Sequence, residues 1–286
     1  MGVFKAAAIQ MRSGERPERN AIELERLVRE AAGQGASYIQ TPEMTGALVR
    51  DKKAASFTSE DKDIIVGTAR RLARELGVHL HIGSTAILRA DGKLANRALL
   101  FGPDGATLAS YDKIHMFDVD LDNGESWRES ATYEPGTEAV VTTIEGAKLG
   151  FAVCYDLRFP QLFRAEALAG ADLLSVPAAF TRQTGEAHWH VLLRARAIEN
   201  GAYVVAAAQG GLHEDGRETY GHSLIVDPWG RVIAEAAHNE PAVIVAEIDS
   251  AQSLAARKKI PNLKNARDFA INAGSSETSR LRGAAS

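Results

Sequence analysis

The sequence predicts an α/β protein built around a mixed β-sheet. Short apolar segments alternate with segments of helical periodicity, as they do in βα units. In the middle of the chain, turn signals at residues 90–93 and 103–105 bracket the apolar segment 96–101, a spacing typical of antiparallel hairpins. Parallel and antiparallel strands are therefore expected in the same protein.

The first half of the chain contains the predicted βα units. Ile22, Leu24, Leu27 and Val28 recur with the spacing of one helix face. The predicted elements are a strand at 4–9, a helix at 19–32, a strand at 37–40, a helix at 61–76 and a strand at 79–83.

The second half repeats the alternation. The unbroken apolar run 149–154 predicts a buried strand, and Pro160 beyond it suits the first turn of a helix. The turn at 227–230 predicts a hairpin near the end of the fold. The elements between are a helix from about 163, a strand at 173–176, a helix at 186–200 and a strand at 202–208.

The composition excludes several classes of function. With 45% hydrophobic and 24% charged residues among 286, the chain matches ordinary globular proteins. A formal net charge of −4 leaves no basic surface for a phosphate backbone, so no nucleic-acid partner is expected. The single cysteine excludes a disulfide framework, and no segment is typical of a membrane span or a signal peptide. We expect a cytoplasmic protein with one domain at 1–272 and a poorly ordered tail at 273–286.

Cys154 lies at a predicted strand-to-helix junction. The chain reverses direction there, so a side chain points out above the sheet while nearby N–H groups are free to meet an anion. Taken alone, a single cysteine is more simply a small buried apolar residue. Its neighbours in space must decide between a nucleophile and a packing residue.

Glu43 and Lys113 also follow predicted strands. The carboxyl ends of strands in open α/β sheets converge on one crevice, which would bring both residues to Cys154. A carboxylate could take the thiol proton, and an ammonium could lower the thiol pKa and stabilise an oxyanion. Each residue taken singly is more simply a solvated loop residue. Together they predict acyl transfer.

Three segments around these residues resemble the catalytic motifs of the nitrilase (carbon-nitrogen hydrolase) superfamily. They are residues 41–43, 111–115 and 150–160, and they stand in the order typical of that superfamily. Further segments resemble its amidase branch, in particular the deaminated glutathione amidases, although omega-amidases share several of them: 184–189, 192–200, 220–223 and 227–230. Residues 204–209 and the loop 213–220 favour the first of these two groups.

The resemblance implies a four-layer α-β-β-α sandwich with mixed sheets. It implies a triad of Glu43, Lys113 and Cys154, an additional acidic residue at Glu129, and an oxyanion site completed by the backbone N–H of Tyr155. The implied reaction is hydrolysis of a primary amide through a thioester, which gives a carboxylic acid and ammonia. No metal or organic cofactor is expected.

The substrate contacts are predicted from charge and from the same resemblance. An ω-amide of a 2-oxo acid carries a carboxylate, and Arg158 is the nearest guanidinium that could bind it with two hydrogen bonds. Phe180 and Thr184 resemble pocket residues of the amidase branch, although packing in the core explains Phe180 equally well.

The superfamily also implies a homodimer or a higher even oligomer. The predicted helix at 186–200 carries Trp189, Leu192, Leu193 and Ile198, which is more apolar surface than a monomer usually needs. We expect this helix to contribute to the contact between subunits.

Two other classes of function compete with hydrolysis at Cys154. His79 and His81 lie two residues apart on a predicted strand, as do the first two ligands of metal-dependent amidohydrolases, but such a site needs further His and Asp ligands. A non-catalytic scaffold of the same fold finds no support, because Glu43, Lys113 and Cys154 are all competent for catalysis.

Overall fold

The computed structural model describes residues 2–50, 57–120, 124 and 126–272. Within them lie two large six-stranded sheets and two small hairpins. The tail expected at 273–286 lies outside the described residues. No helix in the described part of the chain is both long enough and apolar enough to cross a membrane.

The first large sheet is mixed, as predicted. Its strands are β1 (Val3–Gln10), β2 (Tyr38–Gln40), β3 (His79–Leu88), β4 (Leu94–Phe101), β5 (Thr107–Asp112) and β16 (Ala242–Asp249). They stand in the order β16-β1-β2-β3-β4-β5. β1, β2 and β3 are parallel, whereas β16 pairs with β1, β4 with β3 and β5 with β4 in antiparallel fashion.

The second large sheet is built in the same way. Its strands are β8 (Val141–Ile144), β9 (Ala147–Phe151), β10 (Leu173–Ser175), β11 (Tyr203–Ala206), β14 (Leu224–Val226) and β15 (Val232–Glu235). The order is β15-β14-β11-β10-β9-β8, with parallel pairing of β9, β10 and β11 at the centre. The two small hairpins are β6 (Asp118–Asp120) with β7 (Ser126–Arg128) and β12 (Gly210–Leu212) with β13 (Glu218–Tyr220).

Helices cover the outer face of each large sheet. α1 (Pro17–Gly33) and α2 (Ile64–Leu76) pack on the first sheet, and α3 (Pro160–Leu168) and α4 (Arg182–Asn200) pack on the second. α5 (Ser250–Lys259) and α6 (Asn262–Asn265) follow β16. The layers are therefore helices, sheet, sheet and helices, which is the four-layer sandwich expected from the resemblance.

Alternate residues of β1 enter two different cores. Phe4, Ala6 and Ala8 face the second sheet, while Ala7 and Ile9 face α1 and α2. The central residues Ala6 to Ile9 are buried on both faces of the sheet, which explains the apolar run at these positions.

The predicted helices differ from the observed ones mainly at their first residues. α2 begins at Ile64 because the Asp63 carboxylate accepts hydrogen bonds from the N–H groups of Ile65 and Val66. α4 begins at Arg182, four residues before the predicted start, with Thr181 as its N-terminal cap.

The surface predicted for α4 is partly wrong. Trp189 and Leu193 are buried in the core of their own chain, at 1% and 0% exposure. The Arg196 guanidinium is also buried, and it donates hydrogen bonds to the Leu157 carbonyl. Val191 and Ile198 remain exposed, because they lie on the side of α4 that faces away from the sheet.

Glu166 on α3 is a carboxyl group buried against the second sheet. It packs on Gly150, and neither of its oxygens has a hydrogen-bond partner among the described residues. The Phe151 N–H lies nearby but donates to the Val140 carbonyl. Burial raises the pKa of Glu166 well above its usual range, and the charge of Asp156 adds to the shift.

We expect Glu166→Gln to become more stable relative to wild type as the pH rises. The unfolded chain ionises Glu166 above a pKa of about 4.5, whereas the folded protein keeps the proton to a higher pH. Wild-type stability from this group is therefore fully present below that pH and is lost as the pH rises through the folded pKa. Glutamine cannot ionise, so the variant avoids this loss.

Thermal unfolding of both proteins at pH 4 and pH 8 checks this expectation. The melting temperature of the variant minus that of wild type should increase by a few degrees, since 1 kcal/mol corresponds to about 2–4 °C in a chain of this class. A difference that stays constant between the two pH values would contradict it.

Candidate active site

The structure brings Glu43, Lys113 and Cys154 together at one edge of the sandwich. The Lys113 ammonium donates a hydrogen bond to Glu43 Oε1 at 3.0 Å. The Cys154 thiol donates to the same carboxylate. All three side chains are buried.

The three residues come from both sheets, not from one crevice of a single open sheet. Glu43 follows β2 and Lys113 follows β5, both in the first sheet, whereas Cys154 lies beyond β9 in the second. β2 and β3 are parallel, and β4 is antiparallel to both β3 and β5. β2 and β5 therefore run in the same direction. The site forms where the ends of these strands meet the facing sheet.

The loop after β10 joins the two sheets at this edge. Its Pro177 carbonyl accepts the Cys154 N–H at 2.9 Å, and its Ala179 N–H donates to Glu43 Oε2 at 3.0 Å. One short loop therefore fixes both the nucleophile candidate and the base candidate.

Cys154 begins a turn of 3₁₀-helix over Cys154–Arg158 with its own backbone in the left-handed region, at φ 52°. That conformation costs energy for a residue other than glycine, and surrounding contacts must maintain it. The predicted strand-to-helix junction is present, although β9 ends at Phe151, three residues before the thiol.

The buried carboxylate of Asp156 provides those contacts. Oδ2 accepts hydrogen bonds from the Val153 N–H at 2.8 Å and the Tyr111 hydroxyl at 2.7 Å. Oδ1 accepts from the His115 N–H at 3.0 Å and contacts its ring Nδ1 at 2.7 Å. Asp156 thus ties the turn that carries Cys154 to the segment that carries Lys113.

Lys113 lies between two carboxylates. Its ammonium contacts Glu129 Oε2 at 2.8 Å as well as Glu43, and Glu129 also accepts the Phe117 N–H at 2.7 Å. Burial alone would lower the pKa of Lys113, but the charges of Glu129 and Glu43 raise it well above its usual range. The amine therefore stays protonated.

Asn96 is a member of this cluster that the sequence analysis missed. Its Nδ2 donates to Glu43 Oε1 at 2.9 Å and to Glu129 Oε1 at 3.0 Å. It lies in β4, and its carbonyl accepts the Lys113 N–H at 3.0 Å. A polar amide at the start of the apolar segment 96–101 was the available signal, because a buried strand position holds such a group only where it is paired.

The proton distribution follows from these contacts. Burial alone would raise the pKa of Glu43, but the charge of Lys113 and the hydrogen bonds from Cys154, Lys113 and Asn96 lower it below its usual range. Burial and the charge of Glu43 raise the pKa of Cys154 well above its usual range. The resting pair is therefore a neutral thiol beside an ionised carboxylate.

A cavity of about 410 Å³ opens onto this cluster. Tyr155, Arg158, Phe180 and Thr184 all line it, as do Glu43, Lys113, Glu129 and Cys154. Phe180 also packs against Trp189 in the core, with ring centroids 4.9 Å apart. Phe180 therefore both lines the cavity and packs in the core, so both interpretations of this residue are correct.

Arg158 lies over the rings at one end of the cavity. Its guanidinium carbon is 5.9 Å from the centroid of Tyr155 and 5.4 Å from that of Phe180. Nη1 donates to His188 Nδ1 at 3.2 Å, because a guanidinium has no acceptor of its own. Arg158 has no carboxylate partner among the described residues. Its guanidinium is therefore available to bind an anion.

His79 and His81 lie on the same face of β3 but have separate partners. His79 contacts Glu145 at 3.0 Å, while His81 is fully buried against Tyr38 at 2.9 Å. Burial lowers the pKa of His81 to about 3. No group of three or more potential metal ligands occurs in the described part of the chain.

The chain is similar to known proteins over most of its length. The carbon-nitrogen hydrolase family profile matches residues 5–258. A deaminated glutathione amidase of Yersinia enterocolitica is 41% identical over 233 residues, 80% of this chain and 81% of that protein. The omega-amidase NIT2 of Mus musculus is 34% identical over 267 residues, 93% of this chain and 96% of that protein.

The fold is similar to that of solved structures as well. The NitFhit protein of C. elegans superposes with a TM-score of 0.83 at 34% identity, covering 97% of this chain and 69% of that one. The matched length and the identities are well beyond what a shared fold alone would give. The chain belongs to the carbon-nitrogen hydrolase family.

Proposed function

We propose that this carbon-nitrogen hydrolase cleaves the amide bond of a small carboxylate-bearing substrate, deaminated glutathione, with Cys154 as nucleophile. The observation that carries the proposal is a neutral thiol hydrogen-bonded to an ionised Glu43 at the floor of a cavity that also contains Arg158. The similarity to a deaminated glutathione amidase supports the choice of substrate.

The first half of the reaction forms a thioester. Glu43 takes the thiol proton as the Cys154 sulfur attacks the amide carbonyl, and a tetrahedral oxyanion results. Glu43 then gives that proton to the nitrogen of the leaving group, and the carbon–nitrogen bond breaks. In the second half, Glu43 deprotonates a water that attacks the thioester, and the proton returns to the sulfur as the acid leaves.

Lys113 and the Tyr155 N–H are the proposed donors to the oxyanion. Lys113 remains an ammonium throughout, and Tyr155 lies in the first turn of Cys154–Arg158, where N–H groups have no partner within the helix. Glu129 holds Lys113 from the opposite side at 2.8 Å, so we assign it the positioning of that ammonium.

The bond that breaks differs between the two candidate substrates. In 2-oxoglutaramate the amide is primary, and ammonia leaves, as the sequence analysis predicted. In deaminated glutathione the same carbonyl is joined to the nitrogen of a cysteinyl residue, so the leaving group is the amine of a dipeptide. Both reactions release 2-oxoglutarate, and that product is therefore the measure that compares them.

The test of the function measures 2-oxoglutarate release from both substrates, with ammonia release from a neutral aliphatic amide as reference. Deaminated glutathione should give the higher kcat/KM, and Cys154→Ala should abolish turnover without unfolding the protein. Faster hydrolysis of 2-oxoglutaramate would instead assign an omega-amidase, the activity that the name of the murine relative states.

Arg158→Lys should lower kcat/KM for both carboxylate-bearing substrates and leave kcat/KM for the neutral amide almost unchanged. Lysine keeps the charge but loses the pair of parallel donors, which costs roughly 1–3 kcal/mol in kcat/KM. Arg231→Lys, at an exposed position, is the matched control. Equal losses on charged and neutral amides would remove Arg158 from the binding site.

Asn96→Leu should shift the acid limb of activity to higher pH. The Asn96 hydrogen bond helps to lower the pKa of Glu43, and activity needs Glu43 ionised, so its loss raises the pH at which activity falls. We also expect kcat to fall by about tenfold or more, on the scale of a lost hydrogen bond to a charged group. The pH profile of kcat/KM checks this, and an unchanged acid limb would contradict it.

We also propose a single domain over residues 1–272, a cytoplasmic location and a homodimer or higher even oligomer. Val191 and Ile198 lie on one exposed face of α4, at 68% and 52% exposure. Ile198 packs on Gly230, next to the half-exposed Trp229. These three side chains form an apolar surface that a second copy could cover.

Ile198→Glu should shift the protein toward the monomer, because it places a charge at the centre of that surface. Light scattering at micromolar concentration measures the mass of wild type and variant. Ile233→Glu, another exposed apolar position, tests whether any added charge has the same effect. A wild type of strictly monomeric mass would contradict the assembly.

A further inference from the structure

We propose that Arg217, together with Arg50 and the ring of Trp127, forms a second carboxylate subsite in the cavity that also contains Arg158. It would take amides whose leaving group ends in a carboxylate. The inference rests on the proposed function and deepens it, because it names the part of the substrate that this end of the site recognises.

Two guanidinium groups lie over one aromatic ring in the cavity wall. The guanidinium carbon of Arg217 is 4.9 Å from the centroid of Trp127, and that of Arg50 is 5.5 Å from it. All three side chains line the cavity. An aromatic face holds a guanidinium by its flat side, which leaves the N–H groups at the edge for an acceptor in the same plane.

Arg217 is held in one orientation by its own loop. Its Nε donates to Asp215 Oδ2 at 2.7 Å, and its backbone N–H donates to Asp215 Oδ1 at 3.0 Å. Asp215 is almost fully buried, so this pair fixes the base of the guanidinium. Neither Nη of Arg217 forms a hydrogen bond within the part of the chain that the structure describes. Those two nitrogens suit a bidentate contact with a carboxylate.

A series of aromatic contacts runs from the Arg217 group to Arg158. Trp127 is 6.4 Å from Phe117, Phe117 is 5.1 Å from Tyr155, and Arg158 lies 5.9 Å over Tyr155. A substrate as small as 2-oxoglutaramate has one carboxylate for one end. Deaminated glutathione has two, on the order of 10 Å apart in an extended tripeptide.

Two acidic groups nearby, among the residues that the structure describes, are already paired. Glu218, next in sequence to Arg217, binds Arg182 at 2.9 Å, and Asp120 binds Arg128 at 2.9 Å. Asp215 is the carboxylate that faces the Arg217 guanidinium. Arg50 and Arg217 therefore place two guanidinium groups over Trp127, and among these described neighbours only Asp215 is paired with one of them.

The segment that carries Arg217 is also well placed to reach the substrate. Thr219, two residues later, bridges to Thr181 in the loop beyond Phe180. Arg217 contacts the hairpin of β6 and β7 through Trp127. A leaving group that extends out of the cavity from Cys154 would reach this pair along the cavity wall.

The experiment compares three amides on wild type and Arg217→Gln. They are deaminated glutathione, the same compound with its terminal carboxylate converted to a carboxamide, and 2-oxoglutaramate. We expect the variant to lose about 10–100-fold in kcat/KM on the first, mainly through KM, the scale of a lost hydrogen bond to a charged group. The other two should change less than about threefold.

Arg50→Gln is the second variant, because it leaves the pair of Arg217 and Asp215 intact if Arg217→Gln does not fold. Its kcat/KM on deaminated glutathione alone should fall by about 2–5-fold, on the scale of an exposed charged contact. Arg231→Gln, at an exposed position outside the cavity, is the matched control.

Two patterns would overturn the subsite. Equal losses on all three amides, or a wild type that does not distinguish the carboxylate from the carboxamide, would show that Arg217 only supports the loop. A wild type that cleaves 2-oxoglutaramate but neither form of deaminated glutathione would instead overturn the proposed function, and the subsite with it.

Discussion

The buried ammonium of Lys113 is the interaction on which the site depends. It lies between Glu43 and Glu129, and an uncompensated charge at this depth would cost several kcal/mol. The ammonium is therefore retained by both carboxylates, and each carboxylate is stabilised by the ammonium. The same arrangement sets the chemistry, since it keeps Glu43 ionised beside a thiol that burial keeps neutral.

Proton transfer from Cys154 to Glu43 leaves the total charge of this cluster unchanged. Before the transfer, two carboxylates face one ammonium. Afterwards Glu43 is neutral, Glu129 still pairs with Lys113, and the negative charge has moved to the sulfur and then to the oxyanion. A fixed ammonium beside that path stabilises the charge without reorganisation, which is the main advantage of a preorganised site.

Geometry at Cys154 is maintained by contacts outside the triad. The left-handed backbone at the thiol is strained, and the Pro177 carbonyl and the Asp156 carboxylate hold it there. Asp156 also binds Tyr111 and His115, on either side of Lys113. The Asp156 carboxylate thus fixes the position of Cys154, which follows the second sheet, relative to Lys113, which follows the first sheet.

The sequence by itself determined the class of the fold and the identity of the reacting groups. Periodicity and turn signals located the elements, since a strand buried on both faces and an amphipathic helix each leave a pattern in the chain. The motifs around Glu43, Lys113 and Cys154 carried the family. Asn96 left only a weak signal, because a single polar residue in a strand does not show what it pairs with.

Tertiary structure decided which residues share a site and which side chains remain exposed to solvent. The sequence placed Trp189 and Leu193 on a surface, whereas packing of α4 on the second sheet buries them. It gave no indication that Arg217 and Trp127, 90 positions apart, lie in contact. Local patterns record what each segment can do, but contacts between distant segments exist only once the two sheets have packed face to face.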